Sequence, residues 1–342
     1  MGQNANSPRA GILAEPLWPS IRGTRAIDVV GLGENSLDRV SVVADWPKGG
    51  GKQDVLRSEL CSGGQMASAL LGCARLGLRS RYLGAVGADA SEERILAPLQ
   101  AAGIDLSGVQ RIEGASSRSA WILVRAGDGE RSVLAQRDPE LRLDLDALDR
   151  RSIQDAGLLH VDASDPDASY WAAGVAQKAG IPVVLDADRV AESTEALLSR
   201  VDFPVVSEAF AREWGGSENL NDGLERLALS GSRLAVVTRG AEGASAAIGS
   251  HRIHSPAARV KVVDTTGAGD AFHAGLIWAL FQGCSAEPAL NAAHGVAGLS
   301  CTALGAQGGL PDAKSLGEFL AHPAATAPGQ AGSPSDAENT SA

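Results

Sequence analysis

Residues 262–275 read Val-Val-Asp-Thr-Thr-Gly-Ala-Gly-Asp-Ala-Phe-His-Ala-Gly. Two glycines, Gly267 and Gly269, stand just before an apolar run that reads as a helix over 271–282. Glycines there let the backbone approach a ligand and take dihedrals that a side chain forbids. The free amides of a helix's first turn point at the same spot and favour an anion. Asp270 sits inside that anion pocket. A carboxylate would repel a bound phosphate there unless it served as base for the group attacking it. The chemistry this combination suits is phosphoryl transfer to a hydroxyl. As a bare Gly-x-Gly-Asp, the same residues also suit an ordinary loop-to-helix junction, with Asp270 complementing the helix dipole.

Other residues of chemical type are spread along the chain. Ser62-Gly63-Gly64 opens a second glycine-to-helix junction that runs through Ser68 to a stop at Gly77. Gly31-Leu32-Gly33 follows a strand-like run and gives half of a dinucleotide fingerprint, with Ser36 where a third glycine belongs. Asp38 follows closely, and a carboxylate can accept two hydroxyl protons at once, or simply close a turn. Lys52 comes after Gly49-Gly50-Gly51 and is either a solvated charge or a cation for an anionic substituent of a substrate. Arg137 and Asp138 are similar candidates. No Walker A string and no protein-kinase catalytic loop is present.

The elements that must position these residues alternate. Residues 26–31, 80–85, 157–161, 181–185, 203–206 and 234–238 read as strands. Residues 65–76, 92–102, 168–179, 193–198 and 220–229 read as helices, as does the apolar run 291–302. Such alternation predicts a mostly parallel sheet covered by helices on both faces. Two stretches, 39–60 and 116–135, are strand-like without a long helix between and would pair as a small separate sheet. Residues 1–24 and 323–342 are rich in Pro, Ser, Asn and Gly and read as disordered extensions of a body at 25–322, although Leu17 and Trp18 could dock locally. The 342 residues carry 44% hydrophobic and 21% charged side chains, ordinary for a globular enzyme. A net charge of −11 without a basic block argues against nucleic acid as partner. No apolar run reaches membrane-spanning length, and four scattered cysteines without metal spacing suit a reducing compartment, so a cytoplasmic protein is expected.

The 264–275 string resembles the second signature of the ribokinase-like (PfkB) carbohydrate kinases, Asp-Thr-x-Gly-Ala-Gly-Asp-x-Phe-x-x-Gly, at every fixed position. Residues 63–77 resemble that family's first signature, with Ser68 in place of the usual Asn. The resemblance spans about residues 27–320 and implies a three-layer α/β/α sandwich with a small β-sheet lid from 39–60 and 116–135. It also implies ATP and Mg²⁺ as cofactors and a small sugar as substrate, phosphorylated at a primary hydroxyl. Asp270 would be the catalytic base and Gly267, Ala268 and Gly269 the anion hole. Asp38, Gly63, Gly64, Ser68 and Lys52 would face the sugar, and Thr238, Gly240, Gly243 and His294 the nucleotide. Asp264 and Thr266 match a monovalent-cation site, for K⁺. Ser207 and Phe210 replace the Asn and Glu of a magnesium-organising motif, as in ketohexokinase-like and sulfofructose-kinase-like branches. A ketohexose is the favoured substrate. For a sulfonate no clear basic residue is read beyond Lys52, since Ala163 falls in the loop where the sulfofructose branch carries an arginine. A homodimer through the lid is common in the family. The alternatives are a nucleoside kinase on the same fold, an inactive sugar-binding regulator and an NAD-dependent oxidoreductase.

Overall fold

The computed structural model describes residues 13–19 and 25–322. The strands are β1 (Ile27–Leu32), β2 (Ser36–Val43), β3 (Val55–Gly63), β4 (Ser80–Gly87), β5 (Asp105–Ile112), β6 (Ser119–Arg125), β7 (Arg131–Gln136), β8 (Ala156–Asp162), β9 (Val183–Ala187), β10 (Phe203–Ser207), β11 (Ala235–Thr238), β12 (Ala244–Ile248) and β13 (His251–Ser255). The helices are α1 (Gln65–Arg75), α2 (Glu92–Ala101), α3 (Arg150–Gln154), α4 (Pro166–Lys178), α5 (Thr194–Leu198), α6 (Glu208–Gly215), α7 (Leu220–Leu229), α8 (Ala268–Phe281), α9 (Ala286–Ser300) and α10 (Ala313–Ala321).

Nine strands form one sheet in the order β13-β12-β11-β10-β9-β8-β1-β4-β5. All neighbours from β11 to β5 pair in parallel, and the β12–β13 hairpin closes one edge antiparallel. Consecutive residues of the central strands enter opposite layers. Val29, Leu158 and Val184 join α1, α8 and α9 on one face, while Val30, Leu159 and Val183 join α4, α6 and α7 on the other. A strand covered on both faces has no polar side, so its sequence is an apolar run rather than an alternation. The chain turns away from β1 in both directions, to β4 on one side and β8 on the other. Such a reversal opens a crevice at the carboxyl ends of the strands.

The other sheet runs β3-β2-β6-β7 and uses the two stretches expected to pair. Its β2–β6 pair is parallel and the other two are antiparallel. Val40, Ala120, Ile122 and Val124 on one face pack with Leu304 of the body. The opposite face points outward.

The structure departs from the sequence expectations at several elements. Strands β5, β12 and β13 and helices α3, α6 and α10 were not anticipated. Helix α8 begins at Ala268, three residues before the apolar run suggested. Part of the expected N-terminal extension is packed: the Leu17 amide donates to Cys284 O at 3.0 Å, Leu17 is buried, and Trp18 meets Phe203 edge-on. Residues 1–12, 20–24 and 323–342 lie outside the described residues. No helix among the described residues is long and apolar enough to cross a membrane.

Candidate active site

A cleft of about 1270 Å³ lies over the carboxyl ends of β1, β9, β10 and β11, between the main and the small sheet. Gly267, Ala268, Gly269 and Asp270 form part of its floor. Gly267 caps α8 in the left-handed region at φ 77°, and a Cβ there would lie 2.6 Å from Ala306 Cα. Asp264 ties this turn down: its carboxylate accepts from the Thr266 and Gly305 amides, each at 2.8 Å. Thr266 Oγ1 is buried with no partner.

Asp270 opens to the cleft and is walled by protein elsewhere. Desolvation, reinforced by Asp186, pushes its pKa up to about 8; His273 and Arg131 pull the other way. His273 donates from Nδ1 to Gly269 O at 2.8 Å, which fixes its tautomer, and its ring stacks on His160 with centroids 5.1 Å apart. Burial pushes both rings toward the neutral form, His160 to about 3.

Toward the small sheet the cleft is lined by Glu34, Ser36, Asp38, Gly64 and Gln65. Asp38 is 5% exposed, and its Oδ1 has no partner. Burial raises its pKa to about 6, against a hydrogen bond from Ser36. A Cβ at Gly63 would run into the Asp38 carboxylate, and one at Gly64, at φ 92°, would lie 2.6 Å from Asn35 C. The glycine pair therefore lets the α1 turn close on the loop that carries Asp38. Gly63 itself stays behind that carboxylate, outside the cleft lining. Ser68 also departs from expectation. It is fully buried on α1 with an unpartnered Oγ and lines no cleft. Lys52 is exposed in the β2–β3 connection, away from the cleft lining.

At the far end Thr238, Gly240, Gly243 and His294 all line the cleft. Gly243, at φ 84°, leaves no room for a Cβ against Ser255 O. His294 Nε2 is buried without a partner; its ring meets Phe272 edge-on, and burial lowers its pKa to about 4. Ser207 caps α6 by accepting from the Phe210 amide at 3.2 Å, and Phe210 is core beside Trp214. Glu208 is ion-paired to Arg212 at 2.6 Å and to Arg239 at 3.6 Å.

Several cleft residues were not anticipated: Glu34, Arg118, Arg131, Asp186, Asp188 and Arg189. Arg118, Arg131 and Arg189 thus add basic residues to the cleft beyond the candidates Lys52 and Arg137. These unanticipated residues come from the loop after β1, the residue before β6, the start of β7 and the end of β9 with the loop that follows it, so no spacing in the sequence marks them as a set. Arg137 joins them, whereas Asp138 is half-buried outside the cleft lining and accepts from the Ser116 amide at 2.8 Å. No cluster of three or more His, Cys, Asp or Glu suited to a metal occurs among the described residues.

The fold that holds this cleft is shared with known proteins. The chain is 28% identical over 298 residues to an ATP-dependent ribose-1-phosphate kinase of Halopiger xanaduensis, covering 86% of this chain and 98% of that one. It is 28% identical over 291 residues to a ribokinase of Bacillus subtilis, covering 84% and 98%. Its fold superposes on the structure of Arabidopsis thaliana ribokinase complexed with ribose and ATP with a TM-score of 0.73, at 26% identity, over 86% and 99% of the two chains. The profile of the pfkB family carbohydrate kinases matches residues 26–313, the span that builds both sheets and the whole cleft, and the chain thus belongs to this family of ribokinase-like sugar kinases.

Proposed function

We propose that the protein transfers the γ-phosphoryl group of ATP to a primary hydroxyl of a small sugar, with Asp270 as general base. The observation that carries this reading is the joint placement in one cleft of Asp270 at the α8 N-terminus and the unpartnered Asp38 oxygen. Asp38 would hold sugar hydroxyls. Asp270 would take the proton of the attacking hydroxyl as its oxygen bonds to phosphorus and the bond to the ADP bridging oxygen breaks. The Gly267, Ala268 and Gly269 amides would stabilise the charge on the transferred group. Thr238, Gly240, Gly243 and the free His294 Nε2 suit the nucleotide. Mg²⁺ would arrive on the nucleotide's own phosphates and supply positive charge there. Thr266 Oγ1 and the Asp264 carboxylate suit a monovalent cation behind the anion hole.

Within this reading the catalytic unit is residues 25–322, with 13–19 packed on it. A ketohexose remains the favoured neutral sugar, with an aldopentose or a sugar acid beside it. A nucleoside would ask for an aromatic wall, and Phe272 is the one Phe, Tyr or Trp among the described cleft residues. Nor does dinucleotide binding fit, because a Cβ at Gly33 would run into the Asp162 carboxylate, so that glycine serves internal packing. The two replacements that suggested an inactive regulator, Ser68 and Phe210, are core residues and leave the cleft intact. We also place a homodimer contact on the outward face of the small sheet, where Leu60, Trp121 and Leu134 are exposed.

The test is ATP-dependent phosphorylation across ketoses, aldoses, sugar acids, sugar phosphates and nucleosides, with Asp270→Asn alongside. Turnover of a sugar that falls at least ~100-fold in the variant is the expected result. Undiminished turnover in Asp270→Asn would remove the aspartate from its assigned role.

A further inference from the structure

The mechanism above leaves unused a pair of guanidinium groups where the small sheet joins the body. Strands β6 and β7 pair with Ser119 opposite Gln136. Arg118 and Arg137 are the next residue on each chain, so the register sets them side by side at the hinge. Both reach one carboxylate on the loop after β1: Arg137 Nη2 lies 2.9 Å and Arg118 Nε 3.6 Å from the same Glu34 oxygen. All three residues line the cleft beside Ser36 and Asp38. The side chains of Arg118 and Glu34 are each 12% exposed.

A carboxylate alone does not account for this arrangement. Both cations converge on one Glu34 oxygen, which accepts no hydrogen bond from either, while Asp162 and Asp188 add negative charge nearby. The nearby Asp162 is occupied by the Glu34 and Ser164 amides, at 2.6 and 2.9 Å. The guanidinium forks therefore keep unspent N–H donors at the cleft wall. Neutral sugar hydroxyls are met well by carboxylates and amides, as Asp38 offers. Forked, permanently charged donors match the paired oxygens of an oxyanion.

We propose that the sugar taken by this kinase carries an anionic substituent, a phosphate ester or a carboxylate, clasped by Arg118 and Arg137. Glu34 acts as a positioning residue that holds both forks at the hinge. The inference rests on the sugar-kinase reading and narrows its substrate class. The transfer step is unchanged, and the anionic group takes no part in bond making.

The experiment measures ATP-dependent turnover of matched pairs that each keep a free primary hydroxyl: fructose with fructose 6-phosphate, ribose with ribose 1-phosphate, glucose with gluconate. It uses the full chain, Arg118→Gln, Arg137→Gln, and Arg57→Gln as a control in an exposed ion pair at the sheet edge. We expect one anionic member to exceed its neutral partner at least tenfold in kcat/KM, the phosphate and carboxylate arms showing which anion is read. Arg118→Gln and Arg137→Gln should each raise KM for it by ~10–100-fold, the range for a hydrogen bond to a charged group, and erode that preference. Arg57→Gln should do neither. Turnover of neutral sugars with no gain for the anionic ones overturns the inference and leaves the kinase reading standing. So does an equal loss on both members in the arginine variants, which would reduce the pair to supports for Glu34. Silence on every sugar from folded protein overturns both readings.

Discussion

As the proposed base, Asp270 would meet opposing demands, since a base must be ionised while its surroundings hold the proton on. Desolvation and Asp186 raise its pKa to about 8, so kcat/KM should climb with pH through that value. A pH profile flat from 6 to 9 would show that the group is not the titrating base. The same shift bears on stability. An unfolded aspartate titrates near ~4, so the folded state binds the extra proton between roughly pH 4 and 8. The stabilisation is complete below the lower value and is lost as pH rises through the upper one. Asp270→Asn cannot ionise, so its Tm should gain on the wild type between pH 5 and pH 9, read by calorimetry at both. Asp270, its glycines and Asp38 were legible in the sequence because their chemistry lies in one short string or just after one strand. Glu34, Arg118 and Asp186 were not, because pairing between distant strands brings them together.

At the scale of the element, α8 opens on the glycines that the proposed anion hole would use. Gly267 turns the chain at positive φ against Ala306, and the Ala268 amide that follows donates to Thr265 O at 3.2 Å. Gly267→Ala should therefore destabilise the fold by ~1–3 kcal/mol, seen as a fall in Tm. Gly269 differs: a Cβ there meets nothing within 4 Å. Gly269→Ala should keep the wild-type Tm yet lose at least tenfold in kcat/KM for ATP, because the added methyl occupies space meant for phosphate. Equal activity in that variant would remove the backbone-approach argument. The parallel strands were legible for a related reason, since burial on both faces demands β-branched runs such as Val29-Val30 and Val183-Val184. The β12–β13 hairpin escaped notice because Ala-Ser-Ala-Ala carries little strand preference, and sheet-edge pairing decides its state. Ser68 misled for the opposite reason. The motif resemblance pointed it at the sugar, but its short side chain on α1 ends inside the core.

For the whole molecule the small sheet is the part whose two faces must be explained separately. One face packs Val40, Ile122 and Val124 on the body. On the other the register aligns Leu60, Arg39, Trp121 and Leu134 across all four strands. Leu60 is 41%, Trp121 51% and Leu134 60% exposed. A row of that kind is costly in water and is the face on which the proposed homodimer contact would form. Size limits how strong such a contact would be. Four strands at ~4.8 Å spacing and about eight residues at ~3.3 Å present roughly 400–500 Å² of face. Standard stable interfaces bury about 800 Å² per partner. The sheet alone should therefore support a concentration-dependent equilibrium rather than a permanent dimer. Sedimentation of the full chain should show monomer at the lowest loadings and dimer at the highest. Trp121→Glu combined with Leu134→Glu should hold it monomeric throughout, with Tm unchanged at low concentration because neither side chain packs on the body. A wild-type chain that stays monomeric at every loading would free this face from a self-contact. A dimer that survives both glutamates would move the interface elsewhere on the surface.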